Sequence, residues 1–543
     1  MISSALVFIM IPSLSLIYSG LGNRSFALTL FRLPMITAAF VGLQWVLWGY
    51  LVTFSEGSIS SNWWGGESRA GALRHVLAGP VSVGDGPNTS AVIPELLFSL
   101  YEGMFASFTA AVVCGGTMHR ARPRRFIIFI SLWALLVYDP VARWSWSSKG
   151  WLRELGSLDF AGGTPVHIVS GTTVAAFAVF CSIESRGSLW AFLAEAKRRV
   201  GHRLSHIWYA VWSVLRILFL LCTCGRVYVP DADPPAEHTP PHSGGSGQEN
   251  FPYNINFVVL GTALLWFGWA GFNGGSALQG NLRAVSAWTA THVAACSGGS
   301  AGMLWIWVMK GVPDNEPHSD GTPDEAERHE TMARQAFDRL SVWYFCDGAI
   351  AGLVAITPAA GYVPVWSAPV FGFVAALAVN LLKKETELFL RHDPLQIFAV
   401  HSGGGVVGMI LTGIFAEYVH LPRIQIADTV AGLGYTFFMT LAILYFMKVV
   451  AYLFSGSSWR RTAVYSDKNR LEDEFQATVQ QQWRGDLDLE GRAFPKALLP
   501  PPAPPERPPR PDDMYMEHLA PRGLPSPPHS ASSIASRGLP MRI

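Results

Sequence analysis

Two histidines frame the chemistry open to this chain. His167 lies in "DFAGGTPVHIVSGTT" (159–173) and His401 in "DPLQIFAVHSGGGVVG" (393–408). Each follows a valine, stands eight residues after an aspartate (Asp159, Asp393) and leads into apolar sequence. Imidazole changes charge near neutral pH, and its neutral ring both donates and accepts a hydrogen bond. Inside a hydrocarbon span an ionisable group costs on the order of several kcal/mol unless it faces a cavity or a partner, so its default reading is functional. A lone membrane histidine is explained by one hydrogen bond to a neighbouring helix. Two in matching settings are not. If the rings meet, one Nδ1–H donates to the other ring's nitrogen and makes a neutral, proton-sharing pair in a dry tunnel.

The elements that must carry these rings are written in the composition. Half of the 543 residues are hydrophobic and 15% are charged. The apolar residues gather into blocks of roughly 20, the length that crosses a hydrocarbon core of about 30 Å. The chain is expected to be an all-α, polytopic membrane protein with eleven transmembrane helices, near 2–22, 30–54, 92–117, 125–143, 163–184, 255–275, 283–309, 342–358, 363–383, 397–418 and 426–455. Its opening "IPSLSLIYSG" reads as a first spanning helix and not as a cleaved signal peptide. A formal net charge of +1 gives no footprint for nucleic acid; the lipid bilayer is the expected partner. The six cysteines fall in or beside apolar blocks and form no extracellular disulfide framework. Cys222-Thr-Cys224 lacks further ligands, so no metal is expected. No nucleotide loop, nucleophile elbow or metal-ligand set is present, which argues against an enzyme and against a cofactor.

Eleven spans put the termini on opposite sides. The basic segments "MHRARPRR", "EAKRRVGHR" and "KKETELFLRH" follow spans three, five and nine, so that side is cytoplasmic, with the N-terminus extracellular and the C-terminus cytoplasmic. The loop 55–91 is then external, and Asn88-Thr89-Ser90 is a glycosylation acceptor site. Residues 185–254 form a cytoplasmic insertion. Its second apolar run, Ile207–Cys224, carries Arg216 near the centre and reads as interfacial or re-entrant, with an inaccurate gene model as the rival. A second insertion, 310–340, is short, charged and cytoplasmic. Residues 456–543 read as a Pro/Ser-rich cytoplasmic tail, largely disordered, either solvated or a PxxP ligand for a cytoplasmic regulator.

The two Asp–His motifs sit five spans apart in oppositely directed helices. That relation predicts an inverted repeat of helices 1–5 and 6–10, with the eleventh outside it. Gly163, His167 and Gly171 share one face of the fifth span, and His401, Gly404, Gly405 and Gly408 share one of the tenth, where small residues let helices approach.

Four motifs in order, "DFAGGTPVHI", "GWAGFNGGSAL" (268–278), "TPAAGYV" (357–363) and "FAVHSGGGVVGMILTGIFA" (398–416), resemble the ammonium transporter, methylammonium permease and Rhesus protein family. The resemblance covers 1–455 apart from the insertions. It implies a homotrimer with one pore per protomer, in the plasma membrane. It also implies that His167 and His401 line the pore and relay protons, and that Asp159 supports cation access beneath an outer vestibule. Trp146, Ser276 and Tyr101 would enclose the recruited cation, and Phe105 and Phe272 would be the stacked gate. Asp159 is expected to cap its helix as well, and Asp393 to be a cap only. The tryptophan and serine place the chain on the transporter–permease branch.

The implied chemistry is selection by deprotonation. Aromatic faces attract a cation by about 0.5–2 kcal/mol and a serine oxygen accepts an N–H, neither of which separates ammonium from potassium strongly. Taking a full charge into a dry pore costs on the order of several kcal/mol. Ammonium escapes that penalty by releasing its proton, and potassium has none to release. The expected activity is therefore ammonium transport, with ammonia conducted and a proton relayed past the histidines. The rival readings are an ammonium sensor signalling through the tail or insertion, and a structural subunit. Three departures from the family stand out: Glu102 where an uncharged polar residue is expected, serines in the first span, and no family tail motif in "SSWRRTAVYSDKNRLEDEFQ".

Overall fold

A backbone surrounded by lipid must satisfy its own polar groups, and the apolar blocks do so as helices. The computed structural model describes residues 1–22, 24–57, 60–66, 68–77, 79–83, 91–117, 121–186, 252–310, 323–390, 393–417 and 422–455. The acceptor site at Asn88, the Ile207–Cys224 run with Cys222 and Cys224, and the tail from 456 lie outside these.

Among the described residues eleven long helices follow one another: α1 (Ile2–Leu21), α2 (Phe26–Phe54), α3 (Glu95–Thr117), α4 (123–146), α5 (Gly163–Ser185), α6 (Ile255–Gly275), α7 (Leu282–Lys310), α8 (Pro323–Ile356), α9 (Ala368–Phe389), α10 (Phe398–Phe415) and α11 (Pro422–Ser455). Among the described residues ten are long and apolar enough to cross a membrane. The other, α7, has 29 residues, about 44 Å at 1.5 Å per residue. The expected spans are present, with two differences. α8 begins at Pro323, not near 342, because "PDEAERHETMARQAF" places proline and acids at a helix start and helix formers after them. The loop before α3 holds a two-stranded antiparallel ribbon, Pro80–Val83 against Ala91–Pro94, with Pro80 opposite Pro94.

Small residues set the helix contacts. α1 runs antiparallel to α6: Ser3 and Leu6 meet Gly271, and Ile17 meets Gly261. Two serines of α1 remain in an apolar helix by bonding back one turn, Ser13 Oγ to the Ile9 carbonyl at 2.6 Å and Ser15 Oγ to the Ile11 carbonyl at 3.4 Å. α7 and α8 cross where Gly298 meets Gly348. On α4, the buried Arg143 donates through Nη1 to the Thr53 and Ser55 carbonyls, each at 3.0 Å, and through Nε to that of Ser61 at 2.8 Å. The carbonyl end of α2 thereby faces a buried cation, whose Nη2 has no hydrogen-bond partner among the described residues.

Among the described residues four helices contain π-helical turns, at Trp45–Gly49, Ala134–Tyr138, Gly163–Ile168 and Phe398–Gly403. Such widened turns concentrate at functional sites. The last two carry His167 and His401.

Candidate pore and cation site

Each histidine is aimed by an aspartate. Asp159 Oδ1 accepts the N–H groups of Gly162 and Gly163, and Oδ2 that of Thr164, all at 2.7 Å. Asp393 Oδ1 accepts from Ile397 at 3.0 Å and Oδ2 from Phe398 at 2.9 Å. These N–H groups open α5 and α10 and have no partner within the helix, so the carboxylates cap both starts. Burial raises both carboxyl pKa values, that of Asp393 to about 6, while the backbone donors pull them back down. The π-turns then present the rings: His167 Nδ1 and His401 Nδ1 lie 3.2 Å apart, with both residues buried. An N···N hydrogen bond holds one proton, so one ring carries it on Nδ1 and the other on Nε2. The ring centroids are 5.4 Å apart at 29°.

Glycines make that meeting sterically possible. A side chain at Gly171 would strike the backbone of Ser402, and one at Gly405 would lie 3.0 Å from the Gly163 carbonyl oxygen and 3.2 Å from His167 Cβ. Close by, the hydroxyls of Thr172 and Ser402 pair at 3.0 Å across the same crossing.

From the histidines an aromatic row leads away. Trp269 stacks on His167 at 5.4 Å and 20°, held by its Nε1 donating to Thr357 Oγ1 at 3.0 Å. Phe272 lies 6.2 Å from His167 and stacks on Phe105 at 4.1 Å and 25°. Trp146 meets Phe105 edge-on at 5.8 Å. Its Nε1 donates to the Asp159 carbonyl at 3.1 Å, so the aspartate fixes the indole by its backbone and α5 by its carboxylate.

A cavity of about 90 Å³, some three times a water's share of liquid volume (~30 Å³), is lined by Phe105, Trp146, Asp159 and Ser276. Glu102, Arg153 and Arg283 line it too. The structure thus brings three of the four expected recruitment residues to one space with the expected gate residue Phe105, and leaves Tyr101 off its wall. Tyr101 is buried and its hydroxyl turns to the Phe272 and Gly271 carbonyls at 2.7 and 3.0 Å, with Ser276 Oγ at 3.2 Å. It braces the serine. Phe272 lies behind Phe105.

Sequence reasoning passed over Trp269, although it stands three residues before Phe272 in a motif singled out. It also passed over the two arginines. Arg153 Nη1 donates to the Trp146 carbonyl at 2.6 Å. Arg283 Nε donates to the Gly361 carbonyl at 2.9 Å and lies over the rings of Phe160 and Tyr362. Among the described residues no three His, Cys, Asp or Glu side chains gather as a metal site.

Comparison with known proteins matches this architecture. The family model described as "Ammonium Transporter Family" matches residues 1–206, 239–322 and 331–459. Ammonium transporter 1 of Schizosaccharomyces pombe is 35% identical over 82% of this chain and 75% of its own length. Ammonium transporter MEP2 of Saccharomyces cerevisiae is 34% identical over 77% of this chain and 66% of its own length. The crystal structure of Saccharomyces cerevisiae Mep2 superimposes with a TM-score of 0.61 and 30% identity, covering 83% of this chain and 87% of that one. A solved "Sensor Amt Protein", 20% identical at a TM-score of 0.60, shares the fold. The chain, with its many apolar helices, belongs to the ammonium transporter family.

Proposed function

We propose that this ammonium transporter recruits ammonium in the cavity beside Trp146 and Ser276, takes up its proton, and passes ammonia and the proton separately along the His167–His401 pair. The observation that carries the reading is the 3.2 Å contact between two buried imidazole nitrogens at the end of an aromatic row. A neutral pair of that kind offers no compensation for a full charge in a dry passage, yet it can take and hand on one proton. Phe105 and Phe272, stacked between cavity and histidines, close the passage to an intact hydrated ion. Trp146 supplies a π-face and Ser276 a hydroxyl oxygen to the cation. Asp159, with both carboxylate oxygens engaged, acts by anchoring the indole and the helix start and by its negative potential, without touching the cargo.

The same reading makes the protein a plasma-membrane homotrimer with one pore per protomer, N-terminus extracellular and C-terminus cytoplasmic. Its halves α1–α5 and α6–α10 form an inverted repeat. The antiparallel pairing of α1 with α6, and the matching aspartate caps, support that symmetry.

Reconstituted in proteoliposomes, the protein should give an ammonium-induced current, and His167→Ala/His401→Ala should give none or pass potassium as well. Wild-type ammonium binding with no current would overturn conduction in favour of sensing. An unchanged current in the double variant would overturn the histidine relay.

A further inference from the structure

Glu102 is the carboxylate that neither the motifs nor the pore reading uses. It lies on α3 one residue after Tyr101 and three before Phe105, and its side chain lines the same cavity as Trp146 and Ser276. Only 8% of the residue is exposed, and Oε2 has no hydrogen-bond partner among the described residues. A carboxylate that lines a cavity and leaves one oxygen buried and unpaired is expensive unless something occupies that cavity and donates to the group. The other charged groups around the space are committed elsewhere. Asp159 gives both oxygens to backbone N–H groups. Arg153 and Arg283 donate to the Trp146 and Gly361 carbonyls, and Arg283 also lies against two rings. Two guanidinium groups on the lining disfavour a cation there, so a carboxylate on the same lining has a specific electrostatic task.

We infer that Glu102 is a direct anionic ligand of the cation site, its carboxylate accepting an N–H from ammonium seated between Trp146 and Ser276. The inference rests on the transport reading above and adds a charged ligand to it. A tryptophan face and a hydroxyl attract any small cation modestly; a buried carboxylate makes the site a true monovalent-cation site. Two consequences follow. Ammonium binds more tightly than ring and hydroxyl alone allow. Potassium, close to ammonium in charge and size, competes for recruitment although it cannot pass the histidines.

The test is current in proteoliposomes bearing wild type or Glu102→Gln, which keeps the shape and removes the charge. The expected result is a KM for ammonium raised about tenfold or more, the value of one charged hydrogen bond, with the maximal current little changed. Inhibition by potassium should be competitive in wild type and weaken in parallel in the variant. An unchanged KM in Glu102→Gln overturns the inference. So does wild type whose ammonium KM is indifferent to potassium, a measurement that needs no variant to fold. Wild type without any ammonium current would instead overturn the transport reading itself.

Discussion

Asp159 accepts three backbone N–H groups and Asp393 accepts two; the third residue after the first is Gly162, at φ +112°, and the third after the second is Gln396, at φ +59°. In both segments the chain turns through the left-handed region, enters a π-turn, and presents a histidine at the eighth position. The surroundings differ. Asp159 borders the cavity and holds Trp146 through its carbonyl; Asp393 lies at the start of α10, where Lys383 contributes a favourable positive charge. One device therefore serves two tasks: both copies aim an imidazole, and only the first also borders the cavity proposed to take the cation.

The comparison breaks most visibly in transport. Asp159→Asn leaves one carbonyl oxygen for three N–H donors and loosens the indole's anchor, whereas Asp393→Asn loosens only the second helix start. Loss of up to two charged hydrogen bonds in the first variant and one in the second, about 1.5–3 kcal/mol each, predicts a current reduced about 100-fold or more in the first and about tenfold in the second. Equal losses, measured on matched amounts of reconstituted protein, would mean that both aspartates act only through the histidines they aim.

How much of this was legible beforehand follows the same division. Apolar blocks near 20 residues located the helices, since nothing else satisfies a backbone in lipid. The start of α8 was missed because polar helix formers carry no apolar signal, and the ribbon at Pro80–Val83 because it is too short to show alternation. The spacing of His167 and His401 exposed a pair that the fold brings to 3.2 Å. The direction of the Tyr101 hydroxyl was not legible, because its carbonyl partners come from α6, some 170 residues away. Gln396 in a left-handed conformation was equally hidden; Gly162 signals such a turn and glutamine does not. Glu102 was visible as an oddity, and only the cavity gave it a setting.

The positive-φ residues sharpen the comparison at the level of stability. At Gly162 a side chain would be strained at φ +112° and would press on Val166 and, at 3.3 Å, on Trp146. Gly162→Ala should therefore cost about 3–4 kcal/mol and lower the thermal midpoint of detergent-solubilised protein by several degrees. A midpoint indistinguishable from wild type would show that this turn relaxes without moving the indole.

pH gives the second cap a readout of its own. Burial lifts the Asp393 carboxyl to about 6, above the ordinary carboxylate value. The folded protein then holds a proton that the unfolded chain has released. Its contribution to stability is fully present below the unfolded pKa near ~4 and is lost as pH rises through 6. Wild type should thus lose about 2 kcal/mol relative to Asp393→Asn between those limits, an asparagine having no proton to release. Thermal midpoints of the two proteins that stay parallel across this window would place the pKa of Asp393 at its ordinary value and make the second cap as fully ionised as a surface carboxylate.

The smallest effect lies at Gln396, where the two segments depart from each other in residue type while agreeing in backbone. A non-glycine residue at φ +59° carries about 1 kcal/mol of strain. Glycine removes it and adds about 0.5–1 kcal/mol of unfolded-state entropy. Gln396 Oε1 also accepts a long bond, 3.4 Å, from Thr386 Oγ1. These terms nearly cancel, so Gln396→Gly should leave stability within about 0.5 kcal/mol of wild type and transport unaltered, whereas Gln396→Val, branched at Cβ, should destabilise by more than 1 kcal/mol, roughly. A glycine variant that transports poorly would mean that the glutamine side chain itself, and not the turn it permits, holds the second histidine in place.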